Sequence, residues 1–249
     1  MGRVASTVPY YERCREPYPE AFFAKVAGRL GLAGKEKLID VGCGPGTLAI
    51  SFAPFVASAI GVDPESAMIA FARSAARQAE VELKLIEARA EELVKTIGTF
   101  DVVTIGRALH WLEREPMLRV LEWVVNEGGA VVVCGTTLSD APVNGWAERY
   151  NGIRRAWSSE RDDRRYRVDP NAWFAGSRFH LIDQVSVNER HQVSVSDLIG
   201  RAYSRSTTSP AVIGNRRASF EAEVLEAMRP FEQDGILQEE IVARAAIFR

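Results

Sequence analysis

Along the chain, short apolar runs alternate with stretches whose apolar residues recur every three or four positions. Lys37-Leu-Ile-Asp-Val41 reads as a strand buried on both faces. It opens into Gly42-x-Gly44-x-Gly46, after which Leu48, Phe52 and Phe55 follow at helical spacing. Ser58 to Val62 is a second strand, ending on Asp63, and Met68, Ile69, Ala72, Ala75 and Ala76 mark the buried stripe of the next helix. Val81 to Ile86 and Phe100 to Gly106 read as the third and fourth strands. Pro116 to Asn126 reads as a helix stopped by Gly128-Gly129, and Ala130 to Cys134 as the fifth strand. This alternation predicts an α/β protein with a Rossmann-like, mostly parallel sheet and helices on both faces.

The ends of the chain are patterned differently. Phe22, Phe23, Val26 and Leu30 lie on one side of an early helix that Gly31 ends. Beyond Gly135, Arg178 to Val187 alternates, with Phe179, Leu181, Val185 and Val187 expected on one face. Two helical pieces are expected between Ser196 and Phe231, broken at Ser209-Pro210, and a final strand from Ile236 to Phe248.

A strand, a glycine-rich turn and a helix in that order let backbone approach a nucleotide-like ligand closely. The helix N-terminus adds unpaired N–H groups. A dinucleotide fingerprint would carry its third glycine one residue later, where Thr47 stands. Asp40, two residues before Gly42, also has no use beside a pyrophosphate, whereas an ammonium and a sulfonium suit it. Asp63 is placed either to accept hydrogen bonds from ribose hydroxyls or simply to cap the next helix, with Pro64 in its first turn and Glu65 beside the dipole.

Asp40-x-Gly42-x-Gly44-x-Gly46, followed by Asp63, resembles the first motifs of the class I S-adenosylmethionine-dependent methyltransferases. That resemblance implies a seven-stranded sheet whose last strand inserts antiparallel, S-adenosyl-L-methionine as cofactor and S-adenosyl-L-homocysteine as product. Pro64 and Met68 would then sit against the adenine. Ala88-Arg89-Ala90-Glu91-Glu92-Leu93 looks like the family's adenine-edge turn, with Arg89 where an Asp or Ser is common. Gly106 and Arg107 lead into Leu109-His110-Trp111, which resembles a small-molecule subgroup that includes the aconitate methyltransferases. The leader Tyr10-Tyr11 to Arg15-Glu16-Pro17-Tyr18-Pro19 is similar to that subgroup's, with Glu16 in place of a proline. By resemblance, Tyr11 and Arg15 would meet the methionine part of the cofactor, or else the arm simply packs. His110 would serve as a general base or as an orienting residue.

Composition narrows the alternatives. Thirty-one basic and 33 acidic residues leave a net charge of −2, which argues against a nucleic-acid binder. Three cysteines and three histidines lack metal-ligand spacing, and no apolar run is of membrane-spanning length, so a cytoplasmic enzyme without metal is expected, as a monomer or homodimer. Arginines 149, 154, 155, 161, 164, 165 and 167 invite an anion, but Glu148, Glu160, Asp162 and Asp163 are interleaved, as on a solvated helix.

The whole chain, 1–249, is thus expected to be one methyltransferase domain. It would comprise a capping arm and helix (1–33), a cofactor-binding core (34–135), and lid insertions with the last two strands (136–249). The expected activity is methyl transfer to a small-molecule acceptor, most simply an oxygen of a carboxylate or hydroxyl. A cofactor-binding sensor without catalysis is the alternative, and a nicotinamide-dependent dehydrogenase a more distant one.

Overall fold

The computed structural model describes residues 6–159 and 168–249. Seven strands form one sheet in the order β3-β2-β1-β4-β5-β7-β6. They are β1 (Lys37–Val41), β2 (Ser58–Asp63), β3 (Leu83–Glu87), β4 (Phe100–Gly106), β5 (Val125–Leu138), β6 (Leu181–Ser194) and β7 (Ile236–Phe248). The first five pair in parallel. His180 and Arg249 exchange both backbone N–H···O bonds, at 2.7 and 3.0 Å, the antiparallel pattern. Strand order reverses beside β1, so β1 and β4 border the switch point where open α/β sheets leave a crevice at their carboxyl ends.

The helices are α1 (Val8–Cys14), α2 (Glu20–Leu30), α3 (Thr47–Phe52), α4 (Ser66–Gln78), α5 (Arg114–Val124), α6 (Ala147–Ala156), α7 (Pro170–Phe174), α8 (Val195–Tyr203), α9 (Pro210–Ile213) and α10 (Arg217–Met228). Among the described residues, no helix is long and apolar enough to cross a membrane. Among the described residues, no group of three or more His, Cys, Asp or Glu side chains could hold a metal ion.

The described residues cluster into two compact units. One holds the described residues of 19–135, 168–187 and 243–249. Its core joins Ile39, Val41, Val62, Val103 and Ile105 of the central strands to Met117, Leu121 and Val124 of α5, and to Phe174, Phe179 and Phe248. The other holds the described residues of 6–18, 136–159 and 188–242, around Trp146, Tyr150, Leu198, Tyr203, Phe220, Val224 and Met228.

Several expectations need correction. Helix α5 ends at Val124, before Gly128-Gly129, which instead lie inside β5. Val125 already turns extended and pairs with Phe100, and the register shifts between Phe100 and Val102. The glycine pair therefore serves this strand irregularity; a Cβ on Gly129 would meet the Asp101 carbonyl oxygen at 2.9 Å. Phe179 and Val185 are buried but Leu181 is exposed, because β6 begins only at Leu181 and Phe179 precedes it. Three helices replace the two pieces expected from 196 to 231, since α9 is a separate short turn started by Pro210. Arginines 161, 164, 165 and 167, with Glu160, Asp162 and Asp163, lie outside the described residues. Within them, Trp146 and Trp173 are buried, and Trp146 donates to the Gln238 carbonyl at 3.0 Å.

Candidate functional site

The expected site residues from Asp40 to His110 all fall in the unit that holds the parallel strands, and Tyr11 and Arg15 fall in the other. Strand β1 delivers Asp40 and then the glycine turn, whose Gly42, Gly44 and Gly46 have φ of +64°, +53° and +85°. At Gly42 the constraint is also steric, because a Cβ there would lie 2.6 Å from the Ala108 Cβ. The segment after β4 thus packs directly on the turn. A Cβ on Gly44 would meet nothing within 4 Å. The middle of the turn therefore borders open space, with backbone close enough to the surface to receive a ligand.

Asp63 ends β2 and binds the turn to it. One carboxylate oxygen accepts the Gly44 N–H at 2.9 Å and the other the Glu65 N–H at 2.9 Å. It is not the helix cap: α4 starts at Ser66 with Glu65 in the capping position, so Pro64 lies outside the first turn. Asp63 has instead spent one oxygen on the local turn that leads into the helix. Burial raises its pKa, against the pull of the two N–H donors. Two acceptor oxygens have more lone pairs than these two donors use, so ribose hydroxyls could still bond there. Pro64 is exposed beside it, while Met68 is buried in the α4 stripe.

Asp40 is almost wholly buried, at 1% exposure. The Thr104 hydroxyl of β4 donates to it at 2.8 Å, and the Ala49 N–H from the first turn of α3 also bonds it. Burial pushes its pKa up to about 7, despite these donors, and the nearby Asp63 charge pushes the same way. Thr104 was not singled out from sequence, although a hydroxyl residue in the apolar run Phe100 to Ile105 is the signal that marked it.

At the tip of β4, Arg107 has φ +56° and donates its backbone N–H to the Cys134 carbonyl at 3.0 Å. A non-glycine residue there stores backbone strain, a feature concentrated at ligand sites. Gly106 precedes it as the last residue of β4, half-buried. His110 follows, half-buried in a single tight turn with its ring 5.0 Å from that of Trp111, which is 52% exposed. An aromatic pair this open at the carboxyl edge of a sheet can receive a planar or apolar group.

Beyond β3, Arg89 is held by acids: 2.6 Å from Glu113, and 3.7 Å from both Glu91 and Glu92. Glu91 in turn accepts the Glu113 N–H at 2.9 Å. Ala90 is buried between them, opening the tight turn Ala90–Glu92. In the second unit, the Arg15 guanidinium lies 4.7 Å over the Tyr11 ring and donates to the Ser204 carbonyl at 3.2 Å.

Comparison with known proteins agrees with this geometry. Residues 38–129 match the model of a methyltransferase domain family. The chain is 25% identical over 123 residues to a probable S-adenosylmethionine-dependent methyltransferase of Saccharomyces cerevisiae, covering 48% of this chain and 42% of that protein. It is 37% identical over 108 residues to the ubiquinone biosynthesis O-methyltransferase of Pseudomonas aeruginosa, covering 41% of this chain and 45% of that protein. The chain thus spans less than half the length of these curated relatives. A methyltransferase of Geobacter sulfurreducens, solved in complex with S-adenosyl-L-homocysteine, superposes with a TM-score of 0.55 at 11% identity, covering 100% of this chain and 98% of that one. The matched segment holds the glycine turn, Asp63 and His110, and across the whole chain the fold is that of these methyltransferases.

Proposed function

We propose that the protein transfers a methyl group from S-adenosyl-L-methionine to a small-molecule acceptor, at an oxygen of a carboxylate or hydroxyl. The observation that carries this reading is the pairing of Asp63 with the Gly44 N–H across a turn whose middle borders open space. That arrangement offers backbone approach and a ribose-type acceptor in one place, and Asp40 supplies a carboxylate beneath it. Likeness over the matched segment to an enzyme named as an O-methyltransferase supports an oxygen acceptor.

When bound, the cofactor would supply an electrophilic methyl on a positive sulfur. The chain's tasks are then alignment and exclusion of water. The glycine turn and Asp63 would hold the nucleoside, and Pro64, Met68 and the Ala90 N–H would flank the base. Arg89 contributes through its acids by shaping the Ala90–Glu92 turn; Glu91 fastens that turn to Glu113. Gly106 and Arg107, at the end of β4, would help hold the cofactor, and Tyr11 and Arg15 are assigned to its methionine part on the strength of the resemblance. His110 would take the proton of a hydroxyl acceptor or orient a carboxylate, which needs no base. The subgroup likeness to aconitate methyltransferases rests on His110-Trp111 and the leader.

Thermal shift with S-adenosyl-L-homocysteine against NADH tests the cofactor. Stabilisation by the former alone is expected; a response to NADH alone would overturn the proposal. Tight binding without methylation of any acceptor in a broad oxygen-acceptor screen would convert the reading to a sensor.

A further inference from the structure

The segment that carries His110 and Trp111 is fastened at both ends, and the second fastening uses a carboxylate withdrawn from water. At its start, the Ala108 methyl group occupies the space that a Cβ on Gly42 would need. At its end, Glu113 is gripped twice by the turn after β3. One Glu91 carboxylate oxygen accepts the Glu113 N–H at 2.9 Å, and the Arg89 guanidinium meets the Glu113 carboxylate at 2.6 Å. The two grips differ in weight. The Arg89 and Glu113 side chains are 47% and 62% exposed, so their ion pair contributes little. The Glu91 side chain is only 9% exposed, with Arg89 Nε 3.7 Å away. A carboxylate so far out of water needs a good donor, and the Glu113 N–H is one. That N–H is spare because Glu113 stands just before α5, outside the helical ladder.

Glu91 belongs to the Ala90–Glu92 turn, which is itself tied back to Asp63. The Ala88 N–H donates to the Asp63 carbonyl at 3.2 Å, and the Asp63 carboxylate holds Gly44. Between the two anchors the segment has little slack: the Trp111 N–H donates to the Ala108 carbonyl at 2.8 Å, and the Leu112 N–H to the Leu109 carbonyl at 3.3 Å. Ala90 and Leu109 are buried in one core, so the two turns also share apolar packing. We infer that Glu91 is a positioning residue for His110 and Trp111. Through the Glu113 N–H it couples the turn assigned to the adenine to the turn assigned to the methyl acceptor. The inference rests on those two assignments in the proposed function. Filling the base side steadies Ala90–Glu92, Glu91 passes that order to Glu113, and His110 is held at one distance from the reacting methyl. In-line transfer is sensitive to such placement.

The test follows the His110 ring by NMR in the full chain, before and after saturation with S-adenosyl-L-homocysteine, with affinity measured by calorimetry. The chain has three histidines, and His110→Gln identifies the signal concerned. Glu113→Pro is the decisive variant, because it deletes the N–H with little strain. Glu113 has φ −75°, and Leu112 before it has φ −79° and ψ 136°, both compatible with proline. Glu113→Ala removes the ion pair to Arg89 and keeps the N–H. In the unsubstituted protein, ligand is expected to move the His110 signal. Glu113→Ala and Glu91→Gln retain both donor and acceptor and should keep that response. Glu113→Pro and Glu91→Ala should cut it to less than about half, while Kd stays within about threefold because the nucleoside contacts remain. A purely structural role would lower the melting temperature of these variants and leave the His110 response intact. That result overturns the inference and leaves the cofactor reading standing, as does ligand binding to the unsubstituted protein with no response at His110. Failure of the unsubstituted protein to bind S-adenosyl-L-homocysteine defeats the cofactor reading, and the inference with it.

Discussion

Asp40 offers the sharpest physical test, because its burial sets a cost that a single substitution can lift. Its pKa stands at about 7 in the folded chain against 3.8 for the free group, with desolvation as the main cause. A carboxyl raised in this way favours folding while protonated. That contribution is full below 3.8 and is lost as pH rises through about 7. A gap of about three pH units corresponds to about 4 kcal/mol lost between those limits. Asp40→Asn keeps the shape and an oxygen for the Thr104 hydroxyl, but it cannot ionise. Exchanging one acceptor oxygen for an NH2 near the Ala49 N–H takes back about 1–3 kcal/mol. The variant should therefore be more stable than the parent by about 1–3 kcal/mol at pH 8, and less stable than it at pH 4. Urea unfolding of both proteins at pH 4, 6 and 8 reads this directly, and the difference between them cancels the other titrating carboxyls. Parallel pH profiles for parent and variant would refute the account of Asp40 as a buried, destabilised carboxylate. The same substitution is expected to weaken S-adenosyl-L-homocysteine binding, the pattern of a site whose strain serves its ligand.

Other expectations follow from neighbouring geometry. Asp63→Ala deprives the Gly44 and Glu65 N–H groups of their acceptor and should weaken S-adenosyl-L-homocysteine by about 1–3 kcal/mol; unchanged calorimetric affinity would contradict its assignment. His110→Ala should leave that affinity intact and flatten the pH dependence of turnover if the histidine takes a proton, whereas an unaltered profile at reduced rate identifies an orienting role. Gly42→Ala meets both a positive φ and the Ala108 side chain, so it should cost about 2–4 kcal/mol in unfolding experiments, with partial recovery in Gly42→Ala/Ala108→Gly. Gly200→Ala should force α1 from α8, seen as faster proteolysis within residues 6–18; an unchanged digestion pattern would show that the contact tolerates a methyl group.

Local pattern determined much of this protein. The strands from Lys37, Ser58 and Phe100 were legible because a parallel strand buried on both faces is apolar over most of its length. A turn with positive φ similarly favours glycine. Asp40 and Asp63 were legible as chemistry, since a carboxylate placed beside a glycine turn needs a reason to be there. Tertiary structure decided what each of them touches. Sequence spacing could not reveal that Asp63 would accept the Gly44 N–H rather than cap α4, because that bond joins the end of β2 to the turn that follows β1, the strand paired beside it. Thr104 under Asp40 and Ala108 against Gly42 are likewise contacts across 64 and 66 positions of chain, invisible to any local period. The Arg201–Glu239 and Arg205–Glu16 pairs are the extreme case. Charged residues read from sequence as solvated surface, and only the closing of α1, α8 and β7 around them turns that charge into a buried clamp.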